Sequence, residues 1–567
     1  MRQALALFIS VGFSAPSFAE SDAGWLDTDQ ARVLQSSLAK TLERHFSQLS
    51  GESEPVYFLS YALTHSEGLR ISAVEGQHVQ TRPWVNRLLD VDLRVGDMSL
   101  DNTHRQRGGW GRRDHFSTAL PVDLDWFSTE RAILRITDDA YRQASDQIAK
   151  IRANQSVQVE EEDPSPDFSP LKFQESWQDP VALDLDEQML RDRLVGASAV
   201  FKKYPTILGS NVELVAQSNW VLFVSSEGTK LSFSNTSFRV QMQAWMRSSD
   251  GTRVTLFDAV DALDWSVIPS QEQLESRADQ LAQRVLEIDA ASDLDPFTGP
   301  VILSGRAAGV FFHEVLGHRI EGHRQKDDQE GQTFTDKVGE RILPEFLSVR
   351  DDPTLSRLGG VDLVGHYDFD DEGAPAQSVS LVDKGVLQGF LLSRSPIAGF
   401  PHSNGHGRRE PGKAVVARQG NLIVEASERL SSANLRKALV REANRQGREF
   451  GLFVDSIQGG FTLTGRDAPN SFQVTPDYAW KVFVDGRPDE LVRGVDLIGT
   501  PLVTFGRILA AGGEVEVFNG RCGAESGWVP VSASSPSLLL SEIEVQKKEK
   551  GSWRPPILPA PSQESHP

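Results

Sequence analysis

One cysteine, Cys522, is all that the 567-residue chain contains. No disulfide can form within it, and neither a four-cysteine zinc knuckle nor an iron–sulfur cluster held by one chain's thiols is available. Beyond the first residues, no stretch approaches the ~18 uninterrupted apolar residues of a membrane-spanning helix. Basic residues are scarce relative to acidic ones, 58 against 79, which leaves a formal charge of −21. So acidic a surface repels phosphate backbones and argues against nucleic acid as the main partner. Even so, 39% hydrophobic and 24% charged residues is the composition of a folded globular chain, long enough for two or more domains.

At the start, Arg2 precedes an apolar run from Ala4 to Phe13, and Ser17-Phe18-Ala19 offers a small-x-small cleavage site before Glu20. Residues 1–19 therefore read as a signal peptide, with a buried N-terminal helix as the other reading. The expected mature protein is periplasmic or secreted. There a lone exposed thiol risks oxidation unless it is buried or metal-bound.

Apolar periodicity predicts helices at Leu26–Leu49, Ser128–Ile151, Pro180–Leu194 and Leu274–Ala290. Between them lie strand patterns at Val56–Ala62, Leu69–Val74, Val91–Val95, Val212–Val215, Trp220–Ser225, Lys230–Thr236 and Phe238–Ser248. Past Asp293 the chain turns glycine-rich, with short β-branched strands and two helices, Ser304 to about Glu321 and Ser432 to about Gln446. The expected fold is α+β: an N-terminal α/β region with antiparallel sheets and flanking helices, residues 20–290, then a large β-rich C-terminal domain, residues 291–550. An acidic, proline-broken stretch around Glu160–Pro166 suggests a linker at 155–170, and residues 551–567 read as a disordered proline-rich tail.

The segment from Gly299 to His323 carries the chemistry. A short strand ends at Leu303, Ser304 can cap a helix, and the apolar run Ala307–Phe312 leads into His313-Glu314-Val315-Leu316-Gly317-His318. This is the zincin pattern His-Glu-x-x-His with one residue added. Five residues of α-helix turn about 500°, leaving the two imidazoles roughly 140° apart. They can share one ion only if the helix departs from α geometry, and a π-type widening eased by Gly317 is the predicted form. Glu314 is expected to be a general base rather than a ligand, taking the attacking water's proton and passing it to the leaving amine. The competing reading is two unrelated histidines near a helix end, where the dipole favours cations.

These residues, with others in order, resemble the TldD/PmbA family of metalloproteases. The resemblance is strong from about Gly299 to Val545. It rests on His313-Glu314-Val315-Leu316-Gly317-His318, Glu321-Gly322, Asp370-Asp371-Glu372-Gly373-Ala374-Pro375, Asn404-Gly405-His406-Gly407-Arg408-Arg409, Gly459-Gly460, Val492-Arg493-Gly494, Cys522-Gly523 and Val529-Pro530-Val531. It implies a zinc-dependent peptidase with His313, His318 and Cys522 as ligands and one zinc ion per chain. It also implies a homodimer or a heterodimer with a related subunit, enclosing a cavity. Two imidazoles and a thiolate suit zinc rather than a hard cation, and they leave a fourth position open, the catalytic arrangement. One position departs from the family: His323 stands where aspartate is usual, either as a solvated polar residue or as a fourth ligand.

The function expected is hydrolysis of peptides or unfolded segments. The alternatives are a non-catalytic peptide-binding subunit of a family heterodimer, and a cysteine hydrolase using Cys522. Asn404–Arg408 is read either as a cleft lining or as a plain loop, and Asp370, Asp371 and Glu372 as residues that order a loop, with a part in the chemistry as the other reading.

Overall fold

A computed structural model describes residues 27–105, 115–123, 125–155, 163–248, 251–327, 329–462, 464–466 and 471–547. The expected signal peptide, the proline-rich tail and residues 156–162 of the expected linker lie outside the described residues.

Helix α1 (Thr28–Leu49) opens on a capping box: Asp27 accepts the Gln30 N–H at 2.8 Å, and the Gln30 side chain returns to the Asp27 N–H. Ala31, Leu34, Leu38 and Leu42 then fall on one buried face. Helix α2 (Trp126–Gln155) packs beside it. Both lie on a sheet that, among the described residues, has seven strands: β1 (Val56–Val74), β2 (Gln77–Val95), β3 (Phe116–Ala119), β4 (Glu175–Trp177), β5 (Gly209–Ser225), β6 (Lys230–Arg247) and β7 (Arg253–Ala262). The order is β3-β2-β1-β5-β6-β4, with β7 also on β6; β4 alone runs parallel to its neighbour.

Along β5 the inward residues alternate without a break, Val212, Leu214 and Ala216, then Trp220, Leu222 and Val224. The latter three join the α1/α2 core, and the former three join a second core under α3 (Glu187–Ala199) and α4 (Gln271–Ala290). The four helices thus cover two halves of one face of the sheet. The strands are longer than the sequence pattern suggests. The polar run Thr64-His65-Ser66-Glu67 looks like an interruption, yet β1 passes straight through it because cross-strand partners satisfy it. Arg87 on β2 donates to His65 at 2.9 Å, and Ser66 donates to Asn219 on β5 at 2.7 Å.

The second sheet has twelve strands among the described residues. Its central strand, Gly527–Lys547, pairs with Phe297–Leu303, Asn421–Ala426, Val495–Gly499 and Ile508–Ala524. The other face of β1 and β2 meets this part of the chain through ionic contacts. Asp90 accepts the Gly412 N–H at 2.9 Å and lies 3.3 Å from the Arg409 guanidinium. Arg394 is 1% exposed; it donates to the Ser169 carbonyl and pairs with Glu227 at 2.7 Å. Asp167, Phe168 and Ser169, at the end of the expected linker, are accordingly buried. Asp370 and Asp371 order the loop they belong to: Asp370 accepts from the backbone of Glu372, Ala374 and Gly407, and Asp371 from Arg409. Among the described residues no helix is long and apolar enough to cross a membrane.

Candidate metal centre

Helix α5 (Gly305–Val315) starts where Ser304 Oγ accepts the Ala307 N–H at 3.1 Å. It is buried on nearly every side. The chain leaves the helix right after it: Leu316 still donates to Phe312, and then Arg319 and Ile320 both donate to Leu316 across a 3₁₀ turn, Gly317–Ile320. The departure from α geometry that the five-residue spacing demands is present. It is a tight turn rather than a π widening. Its cause is visible in Arg319, whose guanidinium donates to the Glu314 and Val315 carbonyls at 3.2 and 3.3 Å, taking acceptors that the ended helix leaves open. Gly317 is required for clearance: a Cβ there would stand 1.9 Å from Gln419 Oε1. Gln419 in turn donates to the His313 carbonyl at 3.3 Å.

The turn brings both imidazoles to the only thiol. His313 Nε2 is 3.2 Å from Cys522 Sγ, and His318 Nε2 is 3.3 Å from it. One ligand atom from each of the three buried residues lies within 4.8 Å of the others. Cys522 reaches the helix from the strand Ile508–Ala524, where it pairs with Val529 across the hairpin. Arg418 fixes that hairpin by donating to the Cys522 carbonyl at 2.8 Å and to Ser526 Oγ at 2.9 Å. Glu314 Oε2 is 4.0 Å from His318 Nε2. Gly460 makes room for it, since a Cβ at 460 would meet Glu314 Cγ at 2.3 Å.

Behind His318 stands Glu321, fully buried, with Oε1 3.3 Å from His318 Nδ1 and Oε2 accepting from Arg324 Nε at 2.8 Å. Burial, the largest influence on each of these groups, works against charge, and the neighbours outweigh it. The imidazoles of His318 and His313 hold the Cys522 thiol well below its usual range; Cys522 and Glu321 hold His318 well above its own. Glu321 is brought down to about 2 by His318, Arg324 and Arg418.

The donor set fits a metal ion. Two imidazole nitrogens converge on one sulfur whose thiol they hold low, and the deprotonated form is the one a metal ion binds. His313 Nδ1 is buried without a hydrogen-bond partner. A central cation resolves the convergence, and mixed nitrogen and thiolate donors favour zinc.

The other expected residues fall elsewhere. His323 lies outside the cluster, its Nε2 on Glu525 Oε1. Asn404 and His406 are engaged within the scaffold, His406 with Asp351 at 3.2 Å, and Arg408 donates to the Gln419 and Pro530 carbonyls. Sequence reasoning missed the roles of Arg319, Arg324, Arg418 and Gln419. For Glu321 a signal existed in its spacing of three residues from His318.

The fold and the site together define an α+β protein, built on two large sheets among the described residues, whose β-rich part holds a buried His/His/Cys cluster able to coordinate a metal. Residues 297–547 match the PmbA/TldA metallopeptidase C-terminal domain. Over these residues the chain belongs to the TldD/PmbA family. It is 28% identical over 265 residues to a metalloprotease of Archaeoglobus fulgidus, covering 46% of this chain and 57% of that protein. It is 29% identical over 251 residues to a metalloprotease TldD homolog of Haemophilus influenzae, covering 43% and 48%. The chain thus spans about half the length of these relatives. Among solved structures, TldE of Thermococcus kodakarensis has a TM-score of 0.57 at 15% identity, covering 90% of this chain and 99% of that one, a likeness of fold.

Proposed function

We propose that the chain is a zinc-dependent metallopeptidase that cleaves peptides or unfolded segments. The observation that carries this reading is the convergence of His313, His318 and Cys522 with a carboxylate, Glu314, at their edge. His313, His318 and Cys522 would hold one zinc ion per chain. Bound there, zinc supplies Lewis acidity, which polarises a carbonyl under attack and makes water a nucleophile near neutral pH. Glu314 takes the proton of the attacking water on a carboxylate oxygen and returns it to the leaving amine. Glu321, backed by Arg324, orients the His318 ring through Nδ1 and leaves Nε2 for the ion. The leader read at residues 1–19 supports a periplasmic or secreted location. The family resemblance supports a paired subunit, identical or related.

A second reading draws on the same thiol. Cys522, held low between two imidazoles, has the electrostatics of a nucleophilic cysteine. Chelation separates the two. The zinc reading requires that peptide cleavage by the purified chain stop with a chelator and return with added zinc. Cleavage that survives chelation and stops on alkylation would overturn it.

A further inference from the structure

We propose that His323, Arg324 and Glu525 form a clasp that sets where the Cys522 hairpin stands relative to the two histidines, a positioning role that rests on the metal-site reading above. The hairpin closes at Ala524 and Gly527, so Glu525 and Ser526 form its turn, three residues beyond Cys522. Cys522 is the one donor of the cluster that does not come from the segment following Leu303. Helix α5 packs on the strands of the hairpin and Arg418 grips it from beside, and side chains of the segment itself reach its turn as well. Two of them meet at Glu525: Oε1 contacts His323 Nε2 at 2.5 Å, and Oε2 accepts from Arg324 Nη2 at 3.0 Å. Both belong to the short helix His323–Lys326 that directly follows the turn carrying His318.

Arg324 works in two directions. Its Nε holds Glu321, the carboxylate behind His318, while its Nη2 holds Glu525, beside Cys522. One planar guanidinium thus ties the support of a histidine donor to the support of the sulfur donor. The clasp spans the edge of the site, with the Arg324 side chain 9% exposed and that of Glu525 44%. His323 acquires a purpose in this arrangement. An aspartate at 323, which the family resemblance leads one to expect, would set one carboxylate against another. Histidine gives Glu525 a donor instead.

The test uses the full chain and reads metal binding rather than turnover. Zinc dissociation constants are measured by chelator competition for the wild type, E525Q, H323A and the double variant, and each protein is loaded with cobalt(II) to record its thiolate-to-metal charge-transfer band. E330Q is the control, because Glu330 accepts from the same guanidinium, at Nη1 and 2.8 Å, without belonging to the hairpin. The clasp predicts that E525Q weakens zinc 10- to 100-fold and alters the charge-transfer band. H323A does so to a lesser degree, the double variant loses less than the two losses combined, and E330Q changes neither quantity. In the metal-free protein, Cys522 alkylates faster in E525Q and H323A than in the wild type. Wild-type zinc affinity and cobalt spectrum in E525Q and H323A would overturn the clasp, as would an equal loss in E330Q. If the wild type binds no zinc, the metal reading fails, and the metal-free alkylation rate still decides the clasp: an unchanged rate overturns it.

Discussion

Glu314 and Gly460 show how much of the site depends on single atoms. Replacing Glu314 with glutamine nearly preserves its shape and removes its ability to accept a proton. E314Q is expected to keep its zinc and to cleave peptides roughly 100- to 10,000-fold more slowly, read as metal content and kcat. Gly460 is small because Glu314 needs the space; a methyl group there would press on Cγ at 2.3 Å. G460A should bind zinc like the wild type and lose kcat through a displaced carboxylate. A G460A chain with wild-type kcat would show that Glu314 tolerates the shift. H313A, H318A and C522A should each reduce zinc occupancy sharply, measured by metal analysis. The sequence made His313, Glu314 and His318 legible because all lie on one short segment with a known spacing. The reason for Gly460 was not legible, since it lies in a contact with a helix far away in the chain.

At the scale of elements, the five-residue spacing forced a break in the helix but did not say which kind. The answer depended on Arg319, which takes the last carbonyls of α5, and on Gln419, which occupies the space beside Gly317. Neither partner has a local signature. Adding a methyl group at Gly317 drives it into a buried glutamine that is itself bonded to the His313 carbonyl. G317A is therefore expected to destabilise the fold by about 1–3 kcal/mol and to weaken zinc as well. Pairing it with Q419A should restore part of the stability, as a thermal or denaturant midpoint would record; full additivity of the two losses would discard this account of the clash. Strand lengths failed in the reading for a related reason. Polar residues inside β1 look like a turn until Arg87 and Asn219, on other strands, are seen to satisfy them. Helices α1 and α4 were legible because their caps and apolar faces are local.

For the whole molecule, the two-part architecture could be read from the change in composition near Asp293, but the strand order could not. The strand Phe297–Leu303 pairs with residues from 452–454 and from 538–545, and no local pattern encodes such partners. Stability against pH is also a property of the whole. Burial, with help from Arg87, lowers His65 from its ordinary value to about 4, so the fold keeps it neutral while the unfolded chain protonates it near pH 6.5. The unfolded state then binds more protons between those two values. Stability is fully present above pH 6.5 and is lost as pH falls toward about 4, by at most about 3 kcal/mol from this group. Asp370 and Glu372 act in the opposite sense. Burial raises both, Asp370 further through Glu372, so they favour the fold in acid and lose that contribution as pH rises from the usual carboxylate range. Denaturant midpoints for the wild type and H65N across pH 4 to 7 should diverge, with the variant the flatter of the two. Parallel curves would remove His65 as the source.

The donors of the cluster stand 209 and 204 residues apart in sequence, with Cys522 on a strand whose partner is the central strand of the second sheet. During synthesis the helix with His313 and the turn with His318 leave the ribosome long before the sulfur is made. No partially made chain, and no fragment clipped ahead of residue 522, can assemble the three donors. If the site is the seat of proteolysis, the chain stays harmless to its own makers until the hairpin that carries Cys522 has been made, and that hairpin is what arms it.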